Sequence, residues 1–100
     1  MNKICVIGCG FVGAALSVAI LKENDSNYVY VLDQTSKEGK RRLDSLSKGI
    51  FPFEITDEKL MKASAFIPIS NRFSSTFNPD CINNADVILI TINIDLDNSI

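Results

Sequence analysis

Apolar and polar positions along this chain fall into blocks of two kinds, short continuous apolar runs and longer amphipathic stretches. Lys3 to Ile7 is a nearly unbroken apolar run, the pattern of a strand buried on both faces of a parallel sheet. Phe11 to about Glu23 is apolar almost all round except at Ser17, which predicts a largely buried helix. Asn24-Asp25-Ser26-Asn27 reads as a loop, and Tyr28 to Asp33 as a second strand rich in β-formers. Thr35 and Glu38 have capping-box spacing and open a second helix to about Ser47, with Lys37, Lys40, Arg41 and Arg42 on its outside and Gly49 as its stop. Ile50 to Ile55 is an irregular apolar loop around Pro52, and Thr56 is a candidate cap for a short helix from Asp57 to Ser64. Phe73 to Thr76 is a candidate third strand, Pro79 to Asn84 one helical turn, and Val87 to Ile92 a strand of β-branched residues and leucine. The order β-α-β-α-(α)-β-β predicts an α/β chain, a Rossmann-type parallel sheet with flanking helices. Its strand order would be 3-2-1-4, the first part of a doubly wound fold.

The junction between the first strand and the first helix carries the chemistry. It reads Gly8-Cys9-Gly10-Phe11-Val12-Gly13, a Gly-x-Gly-x-x-Gly set between an apolar run and a helix. Asp33 follows twenty residues after Gly13, at the end of the second strand. A strand, the triplet, a helix, a second strand and an acid at that distance form the dinucleotide-binding fingerprint. In that reading Gly8 permits the tight turn, Gly10 lets a pyrophosphate approach the backbone, and Gly13 lets the helix pack on the sheet. The helix N-terminus faces the phosphates, and Asp33 accepts from both hydroxyls of the adenine ribose. The candidate cofactor-binding residues are therefore Gly8, Gly10, Phe11, Val12, Gly13 and Asp33. The bland alternative is a glycine-rich turn of another α/β protein, with Asp33 a solvated strand-end acid. Asp33 would repel a 2′-phosphate, and Gln34 rather than an arginine follows it, so the expected cofactor is NAD and not NADP.

Composition narrows the picture further. One hundred residues make one domain at most, residues 1–100. A net charge of −2 leaves no basic footprint for nucleic acid, and the absence of histidine removes the commonest general base and metal ligand. Cys5, Cys9 and Cys81 lack metal-type spacing, so no metal site is expected, and an odd count suits reduced cytoplasmic thiols. Val6-Ile7-Gly8-Cys9 resembles a lipoprotein cleavage site, but the apolar stretch before it is shorter than a signal peptide needs. Ala14 to Leu21 is too short to span a bilayer, so no membrane partner is expected. Phe51, Phe53, Phe66, Phe73 and Phe77 read as packing residues, Tyr28 and Tyr30 as a structural pair on one strand face, and Arg41 and Arg42 as a solvated helix face, with phosphate binding as the alternative for the two arginines.

Over nearly its whole length the chain resembles the N-terminal NAD-binding domain of the UDP-glucose/GDP-mannose dehydrogenase family. Ile4 to Gly13 is similar to that family's apolar strand followed by Gly-x-Gly-(Tyr/Phe)-Val-Gly, and Tyr28 to Asp33 to its second strand with the ribose acid. Leu46-Ser47-Lys48-Gly49 and Pro52-Phe53-Glu54 are similar to its Gly-x-x-Pro-Ile-Tyr-Glu-Pro-Gly-Leu loop. Phe73-Ser74-Ser75-Thr76 and Asn84-Ala85-Asp86-Val87-Ile88-Leu89-Ile90 are similar to its Phe-x-Ser/Thr-Thr and Glu-Ala-Asp-Val segments. The chain departs from the family at Ile55-Thr56, where Pro-Gly is usual, and at Ile94-Asp95 after Asn93, where Thr-Pro is usual. An alternative alignment makes Asp95-Leu96-Asp97 the start of the next helix, with the connecting loop deleted.

The resemblance implies an NAD-dependent oxidoreductase that oxidises the C6 alcohol of a sugar nucleotide to a carboxylate in two hydride transfers. The family's catalytic cysteine, lysine and asparagine and its sugar-binding domain come later than residue 100, so no catalytic residue is assigned, and Cys81 is not the family's nucleophile. The expectation is an incomplete domain, either the first part of a longer enzyme or a truncated gene product, inactive alone. In the full-length protein the partners would be the sugar nucleotide and further copies of the same chain. Two alternatives stay open: another NAD-dependent 3-hydroxyacid or hydroxyacyl dehydrogenase, and a non-catalytic nucleotide-binding module.

Overall fold

A computed structural model of the chain describes residues 2–91. Four parallel strands form one sheet in the order β3-β2-β1-β4, with β1 Asn2–Ile7, β2 Asn27–Leu32, β3 Phe73–Thr76 and β4 Val87–Ile90. The helices are α1 Phe11–Glu23, α2 Lys37–Ser47, α3 Glu58–Ala65 and α4 Ile67–Ser70, and Pro79–Asn84 is a 3₁₀ turn. The chain is thus an α/β protein with the Rossmann-type strand order expected from its pattern. The Ile92 end of the fourth predicted strand, Asn93, Ile94-Asp95 and the helix start at Asp95-Leu96-Asp97 all lie outside the described residues.

β1 is the register standard of the sheet. Its Cys5 lies opposite Tyr30 of β2 on one side and Ile88 of β4 on the other. Alternation along the strands then divides the two faces. Ile4, Val6, Val29 and Val31 meet Ala14, Val18 and Leu21 of α1, Leu43 and Leu46 of α2, Phe51, and Ile67 of α4 in a single buried cluster. Each of the larger of these, Val, Leu, Ile and Phe, stabilises the fold by about 1.5–3 kcal/mol when fully buried. The opposite face carries Cys5, Tyr28 and Tyr30, the two tyrosine rings 4.7 Å apart and Tyr28 Oη 2.6 Å from Ser74 Oγ. The tyrosines are structural, as expected.

Several local expectations shift. α1 is not buried all round: Phe11 and Val12 are exposed, and the buried face includes the polar Ser17, whose hydroxyl donates to the Gly13 carbonyl at 2.7 Å. The N-cap of α2 is Ser36, which accepts from the Gly39 N–H, and not Thr35; Glu38 instead pairs with Arg41 at 3.2 Å. The N-cap of α3 is Asp57, which accepts from the N–H groups of Lys59 and Leu60, and not Thr56. In both cases two adjacent residues can cap, and the one whose oxygen reaches the free N–H groups of the first turn takes the position. The end of α2 is a Schellman closure around Gly49: Gly49 N–H donates to Leu46 and Ile50 N–H to Ser45. Among the phenylalanines Phe51 is buried, whereas Phe66 and Phe77 are exposed and do not act as core. Arg72, unremarked in the sequence, donates through Nη1 to the carbonyls of Leu21, Asn24 and Asn27, tying the end of α1 to the start of β2. No described helix is long and apolar enough to cross a membrane.

Candidate functional site: the glycine turn and the Asp33 carboxylate

The site is built at the carboxyl ends of β1 and β2. Gly8 turns the chain out of β1 with φ +104°, a conformation that side chains rarely adopt, and its N–H donates to Leu32 O at 2.8 Å. Gly13 lies in the first turn of α1, buried against that turn. A Cβ there would collide with the Gly8 carbonyl and with Thr91 Oγ1. Thr91 follows β4 and locks the turn from the other side: its N–H and hydroxyl donate to Ile7 O at 2.8 and 3.1 Å, and the hydroxyl also reaches Gly8 O at 3.0 Å.

Gly10 differs from its two companions. It is the N-cap of α1, with φ −72° and ψ −172°, which any residue can adopt. Among the described residues, a Cβ on it would meet nothing within 4 Å. Among the described residues no side chain caps the helix there, which leaves first-turn N–H groups, beginning with that of Phe11 at the cleft, without a side-chain partner. The protein's own packing accounts for glycine at positions 8 and 13, and not at 10.

Asp33 stands one residue beyond β2, its side chain 9% exposed. Its Oδ2 accepts from the Cys9 N–H at 3.1 Å and from Arg42 Nη2 at 3.3 Å, and its Oδ1 from the Gln34 N–H at 2.7 Å. Arg42 is therefore not part of a solvated face. Its side chain is only 22% exposed, and its Nε is buried with no hydrogen-bond partner. Arg41, 53% exposed, keeps the solvated role expected of it. Arg42 is the residue that sequence reasoning missed. A signal existed: Gly39, Leu43 and Leu46 are the buried positions of α2, and Arg42 lies three residues from Gly39 and four from Leu46, on the flank of that face.

Gly8, Cys9, Gly10, Phe11, Asp33, Gln34, Arg42, Phe53 and Thr91 line a cleft of about 370 Å³. It brings together Gly8, Gly10, Phe11 and Asp33 of the predicted set. Val12, 64% exposed, and the buried Gly13 are not in the lining. Phe11 packs edge-on against Phe51 at 5.3 Å and near Phe53 at 5.8 Å, which makes one wall aromatic. Cys9 is fully buried beneath the turn; burial first, and then the Asp33 charge, push its thiol up to about 12, with Arg42 opposing. It is protonated and inert at neutral pH. The uncapped N-terminus of α1, the space at Gly10 and the Asp33 carboxylate beside the Cys9 N–H fit a dinucleotide's pyrophosphate and ribose.

No protein-family model matches the chain, and no curated protein matches it. Solved structures do. An NDP-N-acetyl-D-galactosaminuronic acid dehydrogenase from Methanosarcina mazei Go1 superposes with a TM-score of 0.79 at 21% identity over 93% of this chain. A GDP-mannose dehydrogenase from Pseudomonas aeruginosa, solved as a ternary complex, gives 0.72 at 22% identity over 90%. A UDP-glucose dehydrogenase from Pyrobaculum islandicum gives 0.72 at 20% over 92%. At these identities the likeness is one of fold. The chain spans about a fifth of the length of each: 20%, 19% and 20%.

Proposed function

We propose that this chain is the NAD-binding part of a sugar-nucleotide dehydrogenase of the UDP-glucose/GDP-mannose type. The observation that carries the reading is Gly10, a glycine required neither by its φ nor by any described neighbour, at an uncapped helix N-terminus that lines the cleft. A pyrophosphate lying over that backbone supplies the missing reason, since any side chain there would stand where it approaches. The first-turn N–H groups of α1 hold its negative charge, and Asp33 orients the adenosine by accepting from the ribose hydroxyls. Phe11 and Phe53 exclude water from one side of the cleft. The bound nicotinamide supplies the hydride acceptor. The narrower sugar-nucleotide assignment is supported by the three neighbours named above, each described as an enzyme of that kind, and by the Phe73–Thr76 and Asn84–Ile90 segments. No residue of this chain is given a catalytic role.

The test is Gly10→Ala. Because the added methyl meets no described atom, the melting temperature should shift by no more than alanine in place of glycine at an N-cap costs, up to about 1 kcal/mol, while NADH affinity, followed by nicotinamide fluorescence, drops by about tenfold or more, equivalent to ~1.4 kcal/mol. Wild-type NADH binding in a folded Gly10→Ala chain would reject the coenzyme reading.

A further inference from the structure

Cys5 and Cys81 are 76 residues apart in sequence, yet their Sγ atoms lie 3.5 Å from one another. Cys5 sits in the middle of β1, completely buried, on the sheet face turned away from α1 and α2. Both neighbouring strands hold its backbone in register. Cys81 lies in the 3₁₀ turn Pro79–Asn84, half-buried, in a segment with no buried residue. One sulfur is therefore fixed and the other is carried by a surface turn that solvent reaches. Closing the gap to a disulfide of about 2.05 Å requires a movement of about 1.5 Å, within the range of a turn that packs against little else. Cys9, the remaining thiol, belongs to the core on the opposite face and makes no sulfur contact among the described residues.

We propose that Cys5 and Cys81 form a thiol–disulfide site that reacts with low-molecular-weight disulfides of the glutathione class, through a mixed disulfide on Cys81, to give an intramolecular Cys5–Cys81 bond. In the first step the Cys81 thiolate attacks one sulfur of the small disulfide, forming the mixed disulfide and expelling one small thiolate. In the second, Cys5 gives its proton to solvent base and its thiolate attacks Cys81 Sγ, breaking the mixed bond and expelling the second thiolate. The protein loses two electrons and two thiol protons, and the small disulfide becomes two thiols. Cys81 goes first because solvent reaches it. Burial raises the pKa of the Cys5 thiol, and that burial remains once Cys81 carries the mixed disulfide, so ring closure is the slow step. The mixed disulfide therefore persists at neutral pH and closes about tenfold faster for each pH unit of added alkalinity.

The bond would fasten the 3₁₀ turn to β1 close to where the chain already meets that strand, since just after the turn Asp86 Oδ2 accepts from the Lys3 N–H and Asp86 N–H donates to Lys3 O, both at 2.7 Å. The test is incubation of the whole chain with oxidised glutathione at about pH 7 and about pH 9, acid quenching, alkylation of free thiols, and intact-mass and non-reducing peptide analysis. At the lower pH one glutathione should appear on the Cys81 peptide. At the higher pH it should leave, two thiols should be lost, and a linked Cys5–Cys81 peptide should form. Cys9→Ala should behave as wild type, Cys5→Ala should stop at the adduct, and Cys81→Ala should take up no glutathione, with far-UV circular dichroism unchanged in each. First modification of Cys5 or Cys9, three free thiols throughout, or a bond between two chains in place of the internal one would overturn the proposal.

Discussion

The ion pair between Asp33 and Arg42 makes coenzyme choice a matter of two opposed charges. An isolated Asp33 would discriminate against a 2′-phosphate by repulsion alone. With Arg42 Nη2 3.3 Å from the same carboxylate, the pair is close to neutral, and its two members act on a phosphate with opposite sign. A phosphate of charge about −2 at about 5 Å interacts with one unit charge by about 1.7 kcal/mol even at the dielectric of water, and by more inside a cleft. Removing the arginine charge in Arg42→Met should therefore sharpen the preference for NADH over NADPH by about 20-fold. Removing the carboxylate charge in Asp33→Asn takes away the repulsion and frees the guanidinium for a charge-assisted bond, together ~3 kcal/mol or about 150-fold toward NADPH.

Wild type should sit between, favouring NADH, because two backbone N–H donors hold the Asp33 carboxylate in place. The assay is titration of wild type, both single variants and the double variant with NADH and NADPH, read as the ratio of the two dissociation constants so that changes common to both coenzymes cancel. The reasoning fails if both single variants move the ratio in the same direction, or if neither moves it by more than about threefold. A wild-type preference for NADPH would remove Asp33 from the role assigned to it.

Gly13→Ala should destabilise the chain by about 2–3 kcal/mol, since the methyl meets backbone at Gly8 and cannot be accommodated by a rotamer change; a thermal midpoint within about 2 °C of wild type would refute this. The buried Cys9 keeps its proton to about 12 in the folded chain, while an unfolded thiol loses it near 9, so stability should fall as pH rises between those values. Urea titrations should show Cys9→Ala reducing that slope by up to ~1.4 kcal/mol per pH unit, and an unchanged slope would reject the assignment. Among the described residues β4 is an edge strand, with Ile88 42% and Ile90 66% exposed, so the isolated chain should self-associate and Ile90→Lys should reduce it; a clean wild-type monomer at high concentration in light scattering would count against the edge.

Period-two and period-3.6 patterning made the strands and main helices legible, because Ile4, Val6, Val29, Val31, Leu43 and Leu46 are buried by geometry that depends only on spacing along the chain. Where spacing is silent the sequence misled or said nothing. Ile67-Pro68-Ile69-Ser70 is too short to show a period, so α4 was not foreseen. Thr35 and Ser36 are chemically equivalent caps, and only the path of the chain out of β2 selects Ser36. The apolar wrap of α1 predicts a largely buried helix, whereas Val12 and Ala19 are exposed because the sheet and its companions cover one face. Arg42 was placed in solvent because its partner lies nine residues away, across a loop whose course no local rule specifies.

The glycine triplet shows where pattern and structure divide the argument. As a motif, the three positions count equally. In the folded chain Gly8 is required by its positive φ and Gly13 by the approach of α1 to the turn, so both would persist in a protein with this fold and no ligand at all. Gly10 alone has a backbone open to every residue and, among the described residues, empty space where a side chain would go. A fold likeness at about a fifth identity accounts for the first two and is indifferent to the third. Function therefore rests on the glycine that stability does not explain. Gly10→Ala and Gly13→Ala separate the two kinds of necessity, one acting on the coenzyme and the other on the fold.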